Sequence, residues 1–220
     1  MALIEKKVAV YQGKSVIIDG FPRSKEQVAL ATQMQKDFES KGMPSAFVEI
    51  NCPEEVLLRR YIDRRICPIC QTPKNIKLLL TKEIEFDEET GEFHLVCDRP
   101  ECQRAHYIQK QGDQDGIEKV KKNQKEVQDM IDEIKTKTPH LHVVVHNSIP
   151  LDEAHKHEST DFTEEADLVW DKENKEVIRK FNPMIVKDDE GRDAYSRWPE
   201  PVVVDLVDRL AEWLEKTDNK

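Results

Sequence analysis

One stretch of the sequence decides the fold: Ser15-Val-Ile-Ile-Asp-Gly-Phe-Pro-Arg23. Its opening residues are apolar and mostly β-branched, which predicts a short buried strand. Asp19 and Gly20 end that strand, and a helix is predicted from about Ser24 to Lys41, just before a glycine. An aspartate and an arginine therefore lie at the carboxyl end of a strand, where open α/β sheets bind their ligands.

The same alternation continues along the chain. A second buried strand is predicted at Ala46–Ile50, and a helix from Pro53 to about Arg65. After an interruption, apolar residues at helical spacing predict an amphipathic helix from about Gly116 to Lys135, and Leu141–Val145 predicts a third strand. Strands that alternate with helices indicate an α/β fold with a parallel sheet.

The interruption, residues 66–107, holds four of the cysteines and a predicted hairpin around Asp87–Gly91. This composition suits a small inserted subdomain. A second hairpin is predicted around Asp188–Gly191 and a closing helix at Pro201–Lys216, whereas the polar residues 155–172 give no clear prediction. The predicted domains are a partial core at 1–65, the insertion at 66–107 and the remainder of the core at 108–220.

The charge of the chain restricts its partners. It has 34 Lys and Arg residues against 44 Asp and Glu, a net charge of −10. This field repels nucleic acids and anionic membranes, so neither is expected as a partner. No apolar run approaches the ~20 residues of a transmembrane helix, and the first residues lack a signal-peptide core. A cytoplasmic protein is expected.

The residues that follow the first predicted strand suit a phosphate or metal ligand. The Asp19 carboxylate can hold the water shell of Mg²⁺, Gly20 permits close approach, and Arg23 offers a rigid fork for a phosphate. From the residues alone, Asp19 can equally cap a turn while Arg23 lies on the surface. Gln27 can likewise serve as the capping-box partner of Ser24.

Two arginines are expected on one face of the helix that begins near Pro53. Arg60 and Arg64 are four residues apart, so their side chains would leave the helix about 6 Å apart and could grip an anion. The alternative is a solvated basic helix end that is favourably placed against the helix dipole.

The cysteines form two close pairs with metal-ligand spacing. A C-x₂-C pair is followed, after 26 intervening residues, by a wider pair, an arrangement that predicts a tetrathiolate zinc site better than free thiols. The candidate ligands are Cys67, Cys70, Cys97 and Cys102. Because the second pair is wide, His94 or His106 could replace one sulfur. The fifth cysteine, Cys52, is expected to be a core thiol.

Together these motifs resemble adenylate kinase and its nucleoside monophosphate kinase relatives. The likeness rests on Val16–Ser24 with Gln27, on Val48–Glu55 running into Arg60–Arg65, and on the zinc-type lid that opens at Cys67. It implies a P-loop-kinase-like parallel sheet flanked by helices. It also implies reversible phosphoryl transfer from ATP to AMP or a related nucleoside monophosphate, with Mg²⁺ and a structural zinc ion as cofactors.

The resemblance also implies roles for individual residues. Asp19 would help to place Mg²⁺, Arg23 would bind the acceptor monophosphate beside Gly20, and Gln27 would read its base. Arg60 would lie against the ATP base, while Arg64 would contact the transferring phosphate. The Phe21-Pro22 peptide bond is expected to be cis, an option that only proline makes cheap.

Two departures from the family pattern concern phosphate binding. The sequence contains no G-x-x-x-x-G-K motif, whose backbone N–H groups and lysine cradle the phosphates in that family. After the insertion, Lys110, and then Lys122 or Asn123, stand where the family has arginines, and lysine lacks the bidentate fork.

Two hypotheses therefore stand at this point. In the first, the chain is the carboxyl-terminal portion of a nucleoside monophosphate kinase, with a cut start or with a separate amino-terminal P-loop fragment as its partner. In the second, the chain is a non-catalytic, zinc-stabilised nucleotide-binding or interaction module.

Overall fold

A computed structural model describes residues 2–10, 15–109, 116–138 and 142–218. The helices are α1 (Ala2–Val10), α2 (Lys25–Glu39), α3 (Glu54–Ile62), α4 (Gly116–Lys137) and α5 (Pro199–Asp218). The strands are β1 (Phe47–Asn51), β2 (Arg64–Ile66), β3 (Pro73–Asn75), β4 (Ile84–Phe86), β5 (Phe93–Leu95), β6 (His142–His146), β7 (Ser148–Pro150), β8 (Glu164–Asp171), β9 (Glu176–Pro183), β10 (Ile185–Lys187) and β11 (Asp193–Ser196). None of the helices in these ranges combines the length and the apolar character that crossing a membrane requires.

The strands form small sheets. β1 and β6 make a parallel pair, β10, β11 and β7 form a three-stranded antiparallel sheet, and β2–β3, β4–β5 and β8–β9 are antiparallel pairs. The fold is thus mixed α/β, as predicted, with its parallel pairing confined to two strands over the described residues. The chain divides into two compact units, one made of Met1–Glu49, Lys122–Val144 and Val207–Lys220, the other of Ile50–Lys121 and Val145–Leu206.

The prediction of a buried strand at residues 15–18 is wrong. Residues 15–18 form no strand, and Val16 and Ile17 are exposed, Ile17 by 92%. A strand exists only through hydrogen bonds to a neighbour, and no described segment pairs with these residues. Their β-branched composition alone was therefore not sufficient to make them a buried strand.

The second predicted strand is confirmed as β1, but its burial is the reverse of the prediction. Val48 and Ile50 are exposed, whereas Glu49 is buried. The Glu49 carboxylate lies 2.9 Å from Nε2 of His142 and 3.1 Å from Nζ of Lys135. Lys135 supplies the opposite charge without which burial of a carboxylate is very unfavourable, and the imidazole of His142 lies beside the same oxygen.

The first unit is built around helices α2 and α4. Val28 packs with Met130 and Ile134 of α4 and with Phe47 at the start of β1. Val28, Ala31 and Met34 lie at helical spacing along one face of α2 and are buried. The chain leaves α2 through Gly42, whose φ of +69° is readily adopted only by glycine.

The second unit contains helix α3, the cysteine-rich insertion and most of the chain after β6. Val56 of α3 is fully buried against Met184 and Val186. The predicted hairpin around Asp188–Gly191 is confirmed as β10–β11, and the closing helix as α5. The hairpin β8–β9 was not predicted, although its turn begins with Asp171, whose carboxylate accepts backbone N–H groups, a common sequence signal for a turn.

Candidate functional site

The loop between residues 18 and 25 folds around Gly20. This residue has φ of +69°, and a Cβ atom added here would overlap the guanidinium of Arg23. The Arg23 Nε–H donates to the Gly20 carbonyl oxygen over 2.7 Å. Glycine is therefore required twice, for its backbone conformation and for the close approach of the arginine.

Gln27 completes this loop from the first turn of α2. Its side-chain oxygen accepts the backbone N–H of Arg23 at 2.8 Å, not that of Ser24. The interpretation of Gln27 as a capping-box partner of Ser24 is therefore wrong by one residue, because the loop turns so that the preceding N–H faces the side chain. The structure thus brings together Gly20, Arg23 and Gln27, with the Phe21-Pro22 peptide bond in the predicted cis form.

Asp19 lies at the start of the same loop. It is exposed, and within the described residues its carboxylate takes part in no hydrogen bond or ion pair. The loop can therefore offer a free carboxylate beside an arginine whose terminal nitrogens are not used by the Gly20 contact. This is the chemistry that a hydrated divalent cation and an anionic oxygen require.

Arg60 and Arg64 do not share a helix face, contrary to the prediction. Helix α3 ends at Ile62, Asp63 leaves it with φ −87° and ψ 3°, and Arg64 opens strand β2. The reason is the antiparallel pairing of β2 with β3, in which Arg64 is opposite Asn75. Extension of the helix would remove these ladder hydrogen bonds.

The four arginines near the end of α3 differ in their partners. Arg59 pairs with Glu55 at 2.5 Å and with Glu165 at 3.0 Å. Arg65 donates to the carbonyl oxygens of Ile62 and Arg64. The side chains of Arg60, half-buried, and Arg64, exposed, form no such contact within the described ranges. The two predicted site arginines are therefore the two whose donors are available.

The four predicted cysteine ligands form a candidate metal centre. The Sγ atoms of Cys67, Cys70, Cys97 and Cys102 all lie within 4.8 Å of one another. The Cys70 and Cys97 sulfurs are 3.8 Å apart, which is the edge expected for a tetrahedron with Zn–S bonds of about 2.3 Å. The donor set and its spacing therefore fit a structural zinc ion.

The electrostatics of the four thiols also favour a cation. Thr72, whose Oγ1 lies 3.3 Å from the Cys70 sulfur, holds the pKa of that thiol down at about 6. Burial, together with the neighbouring thiols, raises the pKa of Cys102 to about 12. Four enclosed sulfurs cannot all carry negative charge unless a cation balances it.

The two histidine alternatives lie outside this cluster. His94 and His106 stack with parallel rings whose centroids are 5.0 Å apart, and Nε2 of His106 lies 2.8 Å from Glu85. Of the candidate ligand groups in the described part of the chain, the metal cluster contains the four cysteines and neither histidine. The predicted tetrathiolate is the arrangement that the geometry supports.

The remaining predicted residues can be placed briefly. Lys110 lies outside the described residues, as do Gly112, Asp113 and Asp115. Lys122, in helix α4, lies 3.9 Å from Glu126. Cys52 is half-buried beside Val56 and Met184, in agreement with a core thiol, and burial raises its pKa to about 11.

Comparisons with known proteins agree with these motifs. A family model described as an AAA domain matches residues 1–67. The adenylate kinase of Petrotoga mobilis is 32% identical over 114 residues, which are 50% of this chain and 52% of that protein. The adenylate kinase of Mycoplasma capricolum subsp. capricolum is 27% identical over 73 residues, 33% of each chain.

The chain thus spans about half the length of the first relative and a third of the second. The predicted resemblance is confirmed as a distant similarity to adenylate kinases, a phosphotransferase family, together with the four-cysteine cluster.

Proposed function

We propose that the chain is part of a nucleoside monophosphate kinase that transfers a phosphoryl group reversibly from ATP to AMP or a related monophosphate. The observation that carries this proposal is the loop in which Gly20, Arg23 and Gln27 are joined by two hydrogen bonds. A loop held in this way presents an arginine at the start of a helix, where anions are favoured by the helix dipole as well. The distant similarity to adenylate kinases supports it.

In this proposal the loop binds the acceptor nucleotide. The Arg23 guanidinium contacts the monophosphate, and Asp19 holds the water shell of Mg²⁺. Because the Gln27 oxygen is already used by the Arg23 backbone, its amide NH₂ group is the part left to contact a base. Gln27 would therefore select a base with an acceptor nitrogen or oxygen at that point.

The donor nucleotide would be bound by a second set of basic residues. Arg60 would pack on the ATP base, and Arg64 and Lys110 would contact the transferring phosphate. Arg60 and Arg64 are suited to this because their guanidinium groups have no ion-pair partner among the described residues. Such groups stabilise charge that develops in phosphoryl transfer, which depends almost wholly on positioning and electrostatics.

The phosphate cradle would come from outside the printed sequence, which contains no G-x-x-x-x-G-K motif. We propose a separate P-loop fragment, or an additional P-loop segment, as its source. The exposed side chains of Val16, Ile17 and Val48 support such a partner, because exposed apolar side chains offer a surface that another chain can cover.

Activity of the completed protein tests this proposal. Residues 1–220 alone should form no ADP from ATP and AMP above background. A fusion that places the P-loop segment of the Petrotoga mobilis enzyme before residue 1 should show measurable transfer. Robust turnover by the unfused chain, or none by a folded fusion, contradicts the proposal. The second of these results favours the non-catalytic module, for which the missing phosphate motif is the specific argument.

Binding to a two-headed dinucleotide analogue tests the arginine assignments. Arg60→Ala or Arg64→Ala should weaken binding by about 1.5–3 kcal/mol, the range for charge-assisted hydrogen bonds to phosphate. Arg59→Ala is the matched control, because its side chain is occupied by Glu55 and Glu165. It should leave affinity unchanged while lowering stability by about 0.5–1 kcal/mol. Equal losses of affinity at Arg59 and Arg64 would mean that this region acts only as a diffuse basic patch.

A further inference from the structure

The hairpin β8–β9 follows strand β7 in the second unit. Its two eight-residue strands pair in full register from Glu164 opposite Pro183 to Asp171 opposite Glu176. Paired side chains of an antiparallel ladder share a face. Trp170 and Val177 therefore lie on one face of the hairpin, and Val169 and Ile178 on the other.

The face with Trp170 packs on the cysteine subdomain, residues 66–107. Leu168 and Val177 contact the buried cluster formed by Cys67, Leu95, Cys102 and neighbouring residues. The Trp170 ring stacks on Phe86 of β4, with centroids 5.0 Å apart and an interplanar angle of 22°. On the opposite face Val169 is 40% exposed and Ile178 37%, while Glu165 of the same face contacts helix α3.

Polar contacts tie the hairpin along its length. Nη2 of Arg179 donates to the carbonyl oxygen of Lys82 at 2.5 Å. The backbone N–H of Ala166 donates to the carbonyl oxygen of Lys77 at 2.8 Å. At the far end, Glu165 accepts from Arg59 of helix α3 at 3.0 Å. The hairpin thus contacts both the cysteine subdomain and the helix that leads into it.

We infer that the hairpin β8–β9 is a strap that fixes the cysteine subdomain to helix α3. Contacts on both sides of the junction between α3 and the subdomain, which lies at Asp63, oppose a hinge motion there. Adenylate kinases are a standard example of enzymes whose lid opens and closes over substrate. Here the strap would hold the cysteine subdomain in one position in the absence of any nucleotide, so this inference does not depend on the proposed kinase activity.

Hydrogen–deuterium exchange on the full chain, as purified with its metal, tests the strap. In peptides covering residues 82–96, Trp170→Ala should speed exchange by about tenfold, since loss of a packed aromatic contact raises the population of the open form. Ile178→Ala is the matched control, because it removes an apolar side chain from the opposite face of the same hairpin. It should change those rates by less than about twofold.

The result that overturns the strap is an unchanged rate in Trp170→Ala, or the same increase in both variants. If Trp170→Ala does not fold, Arg179→Gln decides the question, because it removes only the tie to Lys82. It should raise exchange by about threefold in the peptide around Lys82 and leave the remainder of the chain unchanged. Unchanged rates in that variant would equally reject the strap.

Discussion

Replacement of Gly20 by alanine should destabilise the loop that carries Arg23. Gly20 and Gly42 both have φ of +69°, but only at Gly20 would the new Cβ meet another side chain, the Arg23 guanidinium. The left-handed conformation costs an alanine about 1–2 kcal/mol. The hydrogen bond from Arg23 to the Gly20 carbonyl, lost when the guanidinium is displaced, contributes about 0.5–1.5 kcal/mol more.

We therefore expect Gly20→Ala to lower the free energy of unfolding by about 1.5–3.5 kcal/mol. Gly42→Ala is the matched control and should lower it by about 1–2 kcal/mol, because nothing lies within 4 Å of its added Cβ. Urea unfolding followed by circular dichroism measures the free energy of unfolding of both variants. The comparison requires that this free energy depend on urea concentration with a similar slope in each variant.

A double-mutant cycle identifies the cause of the difference. In an Arg23→Ala background, Gly20→Ala should cost no more than Gly42→Ala, because the displaced guanidinium is no longer present. Equal costs of the two glycine variants in the wild-type background would refute the reasoning. Arg23 would then not be held by Gly20, and the loop would not be a preformed anion site.

Three further outcomes are expected. Elemental analysis of protein purified without added metal should find one zinc per chain, retained in His106→Ala and lost in Cys102→Ala; less than a tenth of an equivalent would reject the site. Burial lowers the pKa of His142 beside Glu49, so the unfolded chain binds a proton at this histidine at a higher pH than the folded chain does. The free energy of unfolding should therefore fall as pH drops through about 6.5, and His142→Gln should remove this contribution to the pH dependence. Gln71→Gly should raise stability by about 1 kcal/mol, because Gln71 has φ of +57° in the C-x₂-C turn; unchanged urea midpoints would contradict that value.

The features that sequence reasoning predicted well are those decided by neighbouring residues. The C-x₂-C turn and the glycine of the Arg23 loop each follow from the conformational needs of a few adjacent positions, whereas the cis proline was an implication of the family resemblance. The four cysteines could be grouped because two close pairs of thiols have the spacing typical of a metal site.

The predictions that failed depend on partners distant in the chain. Ile17 belongs to a β-branched run, yet no described strand pairs with it. Arg64 continues a helical sequence pattern, yet it pairs with Asn75, eleven residues later, in the antiparallel strands β2 and β3. The hairpin β8–β9 was missed because its exposed face mixes charged and apolar residues, and its packed face is completed only by Phe86 and its neighbours. Tertiary pairing overrode local preference in each case.

The orientation of strand β1 bears on how the protein behaves at high concentration. With Glu49 turned inward, the strand shows water two aliphatic side chains, Val48 and Ile50, and no charge between them. Surfaces of this kind attract chaperones and other extended chains, and salts that strengthen apolar contacts, such as sulfate, increase the attraction. The isolated chain should therefore stay monomeric in dilute, low-salt buffer and associate as sulfate is added. Whether the protein self-associates thus depends on whether this strand is covered.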